Sequence, residues 1–217
     1  MATAIDAGPP PAYIGFGSMA GRDAERTGEV VAQAARAAGV RAVIATGWGG
    51  LAAHTSADLH VIDQAPHDWL FPKMSAVVHH GGGGTTPAAL AAGVPQVVCP
   101  FVADQPHWAQ RMHAVGVAPR PIPHRALTVS ALADAISHAV DDAALRHRAG
   151  ELGEQIRSEN GVATAVRELE RCTAPEVQAE KRKCWPRKAQ GRHSISALAP
   201  AQPRSIDRTS PSLSICA

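Results

Sequence analysis

Along its length the chain alternates short apolar runs with longer stretches in which apolar residues recur every three or four positions. The short runs are Ala12–Phe16 (AYIGF), Arg41–Ala45 (RAVIA), Leu59–Ile62 (LHVI), Ala76–His79 (AVVH) and Gln96–Cys99 (QVVC). Their length and Val/Ile content predict five strands. Within Asp23–Ala38, the residues Val30, Val31, Ala34, Ala35 and Ala38 fall at helical spacing, and Gly39 is placed to end that helix. The same spacing predicts helices over Pro87–Ala92, Asp104–Val115, Val129–Val140, Ala143–Glu159 and Val162–Cys172. Strands separated by helix-length segments predict a parallel sheet covered on both faces. The expected fold is α/β, a doubly wound Rossmann-like parallel sheet. Such sheets bind ligands at the carboxyl ends of their strands. Gly17-Ser18-Met19, Thr46–Gly50 and His80–Thr86 all fall there.

The periodic pattern covers only part of the chain. Residues 1–11, with GPPPA just before the first strand, read as an interdomain linker remnant, and residues 12–174 as the folded domain. Residues 175–217 include KRKCWPRK and APAQPRSIDRTSPSLS, which lack periodicity and predict a basic, Pro/Ser-rich disordered tail. Charge follows the same division. The 217 residues carry a net +2, but residues 176–217 hold eight Lys/Arg against three Asp/Glu, which leaves the body acidic. The small net charge argues for neither a nucleic-acid nor a membrane partner, and the basic character belongs to the tail. Hydrophobic content of 45% with only 4% aromatics suits small-residue α/β packing.

Cys99, Cys172, Cys184 and Cys216 show no CxxC spacing, so a disulfide framework is not expected and a reducing cytoplasm is. Cys99, in an apolar strand, is expected as a buried thiol. No apolar run approaches the roughly 20 residues that span a bilayer. MATAIDAGPPPA has no basic segment followed by an apolar one, so no signal peptide is expected.

The chemistry concentrates in Val77–Ala92, VVHHGGGGTTPAALAA. A buried strand ends in two histidines; four glycines follow, and two threonines and a proline open a helix. Glycines let backbone amides approach a ligand with no Cβ in the way. A helix start offers unpaired N–H groups and the positive end of the macrodipole, which suits phosphate. Thr86 is expected as N-cap with Pro87 at the first helical position, leaving Thr85 free for a phosphate oxygen. His79 and His80 leave a strand on opposite faces, which counts against a shared metal ion. No Lys follows the glycines as in GxxxxGK[ST], and the cluster follows the fourth strand, unlike the GxGxxG of dinucleotide enzymes. A tight turn with no ligand stays open as the alternative. The second feature is Cys99–Trp108, CPFVADQPHW, where Asp104 and Gln105 offer a carboxylate and an amide to sugar hydroxyls. Asp104 could equally do no more than cap the following helix.

YIGFGSM, GWGGL, HHGGGGTT, AAGVP and PFVADQPHW, in this order, resemble the donor domain of UDP- or dTDP-sugar-dependent glycosyltransferases of the GT-B type. The likeness runs from about residue 11 to residue 172. It is to bacterial relatives of sterol 3-β-glucosyltransferases above all, then to the glycosyltransferases of glycopeptide and macrolide antibiotic assembly. That family has two Rossmann-like domains, and this chain resembles the second. The resemblance implies diphosphate binding by Gly17, Ser18, His80, Gly82, Gly83, Gly84 and Thr85. It implies base binding by Trp48 and the backbone of Ala65, and sugar binding by Asp104 and Gln105. Trp108 is typical of the sterol-type branch, and His79 is read as structural. The implied reaction inverts the anomeric carbon, takes a UDP- or dTDP-sugar as co-substrate, and uses no cofactor or metal. No catalytic residue is expected in this chain: the general base and the pocket for a small-molecule acceptor would sit on the N-terminal domain. The alternative is a non-catalytic nucleotide-sugar-binding fragment. A UDP-sugar isomerase of similar fold would not explain HHGGGGTT together with ADQPHW.

Overall fold

The structure is a computed structural model that describes residues 5, 7–19, 23–51 and 54–173. The chain divides into two compact units, residues 1–164 and 165–217. The tail expected from residue 175 onward, with Cys184 and Cys216, lies outside the described residues, as does most of the segment before Ala7.

In the first unit five strands form one sheet: β1 (Ala12–Gly15), β2 (Ala42–Ala45), β3 (Leu59–Ile62), β4 (Ala76–His79) and β5 (Gln96–Val98). Their order across the sheet is β3-β2-β1-β4-β5, and every pairing is parallel. The helices are α1 (Ala24–Ala37), α2 (His67–Leu70), α3 (Thr85–Ala92), α4 (Gln105–Ala114), α5 (Val129–Asp141) and α6 (Ala143–Ser158), then α7 (Gly161–Thr173). In the second unit the described residues, 165–173, are helical and belong to α7.

Alternation along the strands sets the two layers. Ile14, Phe16, Ala42, Ile44, Val78 and Val97 face one side, where Val31, Ala34 and Ala35 of α1 and Leu132, Ile136 and Ala139 of α5 cover them. Tyr13, Val43, Ala45 and Val77 face the other side, against Leu70, Phe71, Met74 and Ala89. Every residue of β1, β2, β4 and β5 is buried, as expected of a sheet covered on both faces. Cys99 lies in the first layer, and burial pushes its thiol up to about 12, so it stays protonated.

The helix ends follow local chemistry. Asp23 caps α1 by accepting from the Arg26 N–H at 3.0 Å, Thr128 caps α5 through the Ala131 N–H, and Asp142 caps α6 through Ala144 and Leu145. Three short elements escape the sequence pattern: α2, the 3-10 turn Phe71–Lys73 that continues it, and the 3-10 turn His124–Ala126. Four helical residues are too few to show a period.

Candidate functional site

At the carboxyl end of the sheet, the segments leaving β1, β2, β3 and β4 converge. The turns after β1 and β2 are tied together, with the Gly49 N–H donating to the Gly17 carbonyl at 2.9 Å. Beside them opens a cavity of about 670 Å3. Gly17, Ser18, Trp48 and Ala65 all line it, so four residues singled out from sequence meet at one site. Trp48 is 87% exposed, which leaves its ring face free to stack. Tyr13, Asp63, His67 and Asp68 also line the cavity and were missed. His67 and Asp68 stand just after the third strand in APHDW, so their place at a carboxyl end was the available signal. The His67 ring stacks on Phe71 at 4.3 Å, and burial lowers its pKa against the opposing pull of Asp68.

The turn between β4 and α3 is the most open part of the site. α3 begins at Thr85 with Gly84 at the N-cap, two residues ahead of the expected cap at Thr86. The Thr86 N–H donates to the Gly82 carbonyl at 3.0 Å, which draws the first turn back into the glycines. Thr86 is therefore no cap: it is buried inside the first turn, and its Oγ1 has no partner. Pro87 comes third in the helix, where an N–H is still dispensable. The N–H groups of Gly82, Gly83, Gly84 and Thr85 have no acceptor among the described residues. Four free donors at a helix N-terminus make a seat for an anion.

His80 stands between this turn and the one after β1. A Cβ on Gly17 would lie 3.4 Å from its Cε1, and a Cβ on Gly82 would lie 2.3 Å from its Nε2. Any larger residue at position 82 therefore has to move the imidazole aside. Burial lowers the His80 pKa, and its buried Nδ1 has no hydrogen-bond partner. His79 points the opposite way and is wholly buried, as expected for neighbours leaving a strand on opposite faces.

Asp104 and Gln105 sit differently. Gln105 is buried, and its Oε1 accepts from the Phe101 and Val102 N–H groups at 2.8 and 3.1 Å. Asp104 is the N-cap residue of α4 by position but makes no side-chain cap bond; its Oδ2 accepts from the Trp108 indole N–H at 2.9 Å. Trp108 thus has a defined polar contact within the loop. Between them and Val102, Ala103 carries a left-handed φ of +57°, a conformation costing a non-glycine residue about 1–2 kcal/mol. The 670 Å3 cavity is lined neither by Asp104 and Gln105 nor by His80 and Gly82–Thr85, which reach it only through the His80–Gly17 approach. Among the described residues no cluster of three or more His, Cys, Asp or Glu could hold a metal ion, and no helix is long and apolar enough to cross a membrane.

A family model described as the C-terminal domain of erythromycin biosynthesis protein CIII-like proteins matches residues 24–171. Sterol 3-beta-glucosyltransferase UGT80A2 of Arabidopsis thaliana is 42% identical over 165 residues, which is 75% of this chain and 26% of that protein. The chain therefore spans about a quarter of that relative's length. Two solved structures share the fold. The glycotransferase of kitacinnamycin superposes with a TM-score of 0.64 at 24% identity, over 76% of this chain and 43% of the other. The glycosyltransferase VinC in complex with DTDP gives 0.62 at 22% identity, over 77% and 44%.

Proposed function

This chain belongs to the erythromycin biosynthesis protein CIII-like C-terminal domain family, and from that premise we propose that it is the donor-binding half of a glycosyltransferase. The reaction moves a hexose from a UDP- or dTDP-sugar to a hydroxyl of a lipid-like or secondary-metabolite acceptor, with inversion. One observation carries the reading: the free N–H groups of Gly82–Thr85 open α3, and His80 lies between Gly82 and Gly17, which lines the cavity together with Trp48 and Ala65. The name of the Arabidopsis relative, a sterol 3-beta-glucosyltransferase, and the DTDP bound to VinC support it.

The chemistry follows from charge. The acceptor oxygen attacks the anomeric carbon as the bond to the diphosphate oxygen breaks, and the electron pair leaves with the nucleoside diphosphate. Negative charge grows on that leaving group. The amides of Gly82, Gly83, Gly84 and Thr85, the α3 dipole, the Thr85 hydroxyl and His80 oppose it without a metal, with Gly17 and Ser18 closing the other side. Trp48 and the Ala65 backbone take the base, and Asp104 and Gln105 the sugar hydroxyls. The acceptor proton goes to a general base on the N-terminal domain, which also supplies the acceptor pocket.

A second reading, a nucleotide-sugar-binding chain without transfer, draws on the loop after β5. There Gln105 Oε1 and Asp104 Oδ2 are already engaged by Phe101, Val102 and Trp108. Calorimetric titration with UDP and UDP-glucose, with no metal added, tests the donor site that both readings need. Both ligands should bind, UDP-glucose more tightly, and His80→Ala should weaken both about tenfold or more. A folded chain that binds neither sinks the donor-site reading. Equal affinity for the two ligands would show that Asp104 and Gln105 add nothing to donor binding in this chain.

A further inference from the structure

The glycine turn is held from beneath by two buried side chains that have no part in the reading above. His79, the last residue of β4, is 0% exposed, and so is Gln96, the first residue of β5. The strand register pairs Val77 with Gln96 and His79 with Val98, so the two side chains are diagonal neighbours on one face. His79 Nε2 and Gln96 Oε1 are 2.7 Å apart. On the other ring edge, the Gly81 N–H donates to His79 Nδ1 at 3.0 Å.

These two bonds fix each other. A backbone amide can only donate, so Nδ1 must accept, and the single ring proton of a neutral imidazole sits on Nε2. Nε2–H then donates to Gln96, which must present its oxygen. The amide cannot flip, and Gln96 Nε2 is left buried with no partner. An unpaired buried donor costs stability that an apolar pair of the same size would avoid. Burial holds the His79 pKa down near 4, so the ring stays neutral through the physiological range and the acceptor at Nδ1 persists.

What the arrangement secures is the backbone of Gly81. That residue has φ of +86°, and a Cβ on it would come 3.0 Å from Val98 Cγ1 and 3.2 Å from the Gln105 carbonyl. It is wedged between β5 and the start of α4 with its N–H turned inward. The Cys99 N–H anchors the His79 carbonyl at 2.8 Å from the neighbouring strand. Position 81 is therefore clamped by sheet and side chain together, and the next four N–H groups are the free ones. We propose that His79 is a positioning residue for the diphosphate cradle: with Gln96 it fixes Gly81, and so aims the N–H groups of Gly82–Thr85 at the ligand. This rests on the donor-site reading.

The geometry supplies its own rescue. An Asn side chain can accept a hydrogen bond from the N–H two residues on, as in an Asx-turn, which reproduces the His79–Gly81 contact without the ring. In the full chain, His79→Leu should bind UDP about tenfold or more weakly. Its affinity for uridine, followed by ligand-observed NMR, should be unchanged, because only the phosphate seat is disturbed. His79→Asn should recover most of the UDP affinity. Amide hydrogen exchange at Gly81 should rise in His79→Leu and return towards wild type in His79→Asn. Equal losses for UDP and uridine, unaltered UDP binding in a folded His79→Leu chain, or no recovery in His79→Asn would each overturn the proposal. If the wild-type chain binds no UDP, the donor-site reading falls, while the exchange measurement still decides whether His79 orders the turn.

Discussion

The two segments that leave β4 and β5 are neighbours at the same end of the sheet, yet they use their polar groups in opposite ways. After β4, the donors of Gly82–Thr85 and His80 Nδ1 are left unpaired by the protein. After β5, Gln105 spends its oxygen on Phe101 and Val102, and Asp104 accepts from Trp108. The first segment is ready for a ligand as it stands. The second has already committed Gln105 Oε1 and Asp104 Oδ2 within the loop, so sugar hydroxyls that reach for those two oxygens must compete with bonds already made. Preorganised donors cost nothing at the moment of binding, whereas each bond broken in the β5 loop offsets the one it makes. The diphosphate should therefore supply most of the donor affinity, and the sugar a smaller, adjustable part.

The largest expected effect attacks the closed segment. Gln105→Leu strips the acceptor from two backbone N–H groups, and thermal or denaturant unfolding should show a loss of about 2–4 kcal/mol. A loss within 0.5 kcal/mol of zero, on the order of an ordinary surface change, would show that the loop repairs itself with water. Next, Gly82→Ala tests the open segment. The added Cβ meets His80 Nε2 and must move the ring, so UDP affinity should fall as far as in His80→Ala, by about tenfold or more, with little change in stability. Full affinity in Gly82→Ala would remove His80 from the site. The smallest effect tests the competition itself. Trp108→Phe frees Asp104 Oδ2, and affinity for UDP-glucose should rise about threefold while that for UDP stays fixed. A fall in UDP-glucose affinity would instead place the indole against the sugar.

Period and punctuation carried the fold. Five Val/Ile-rich runs and the helix-spaced stretches between them correspond to β1–β5 and to α1 and α3–α7, because each spans enough positions to show its repeat. The site was legible where one contiguous segment makes it: HHGGGGTT holds strand end, turn and helix start together. It was illegible where partners come from different strands. Nothing in VVHH foretells that His79 meets Gln96, since that contact exists only once β4 and β5 lie in register. Asp104 and Gln105 were read as a pair for sugar hydroxyls, with a capping role for Asp104 left open; their bonds to Trp108 and to the Phe101 and Val102 amides depend on a loop path that includes the left-handed Ala103. Helix α3 starting at Thr85 rather than beyond a Thr86 cap has the same origin, for glycines impose no boundary of their own.

The strand order β3-β2-β1-β4-β5 also has a consequence for how the chain comes off a ribosome. The first of the five strands to be synthesised occupies the centre, and the next two extend the sheet towards one edge. Only then does the chain cross back so that β4 can settle on the other flank of β1. A nascent chain that has just passed Ile62 can thus hold a half-sheet with the turns after β1 and β2 made and no glycine turn at all. The glycine turn comes into being when β4 pairs with β1, and the Gln96 contact beneath it only when β5 follows. Because early segments fold before later ones exist, the vacant flank of β1 is an exposed strand edge during that interval, and synthesis that stalls between β3 and β4 leaves the chain most open to the wrong neighbour.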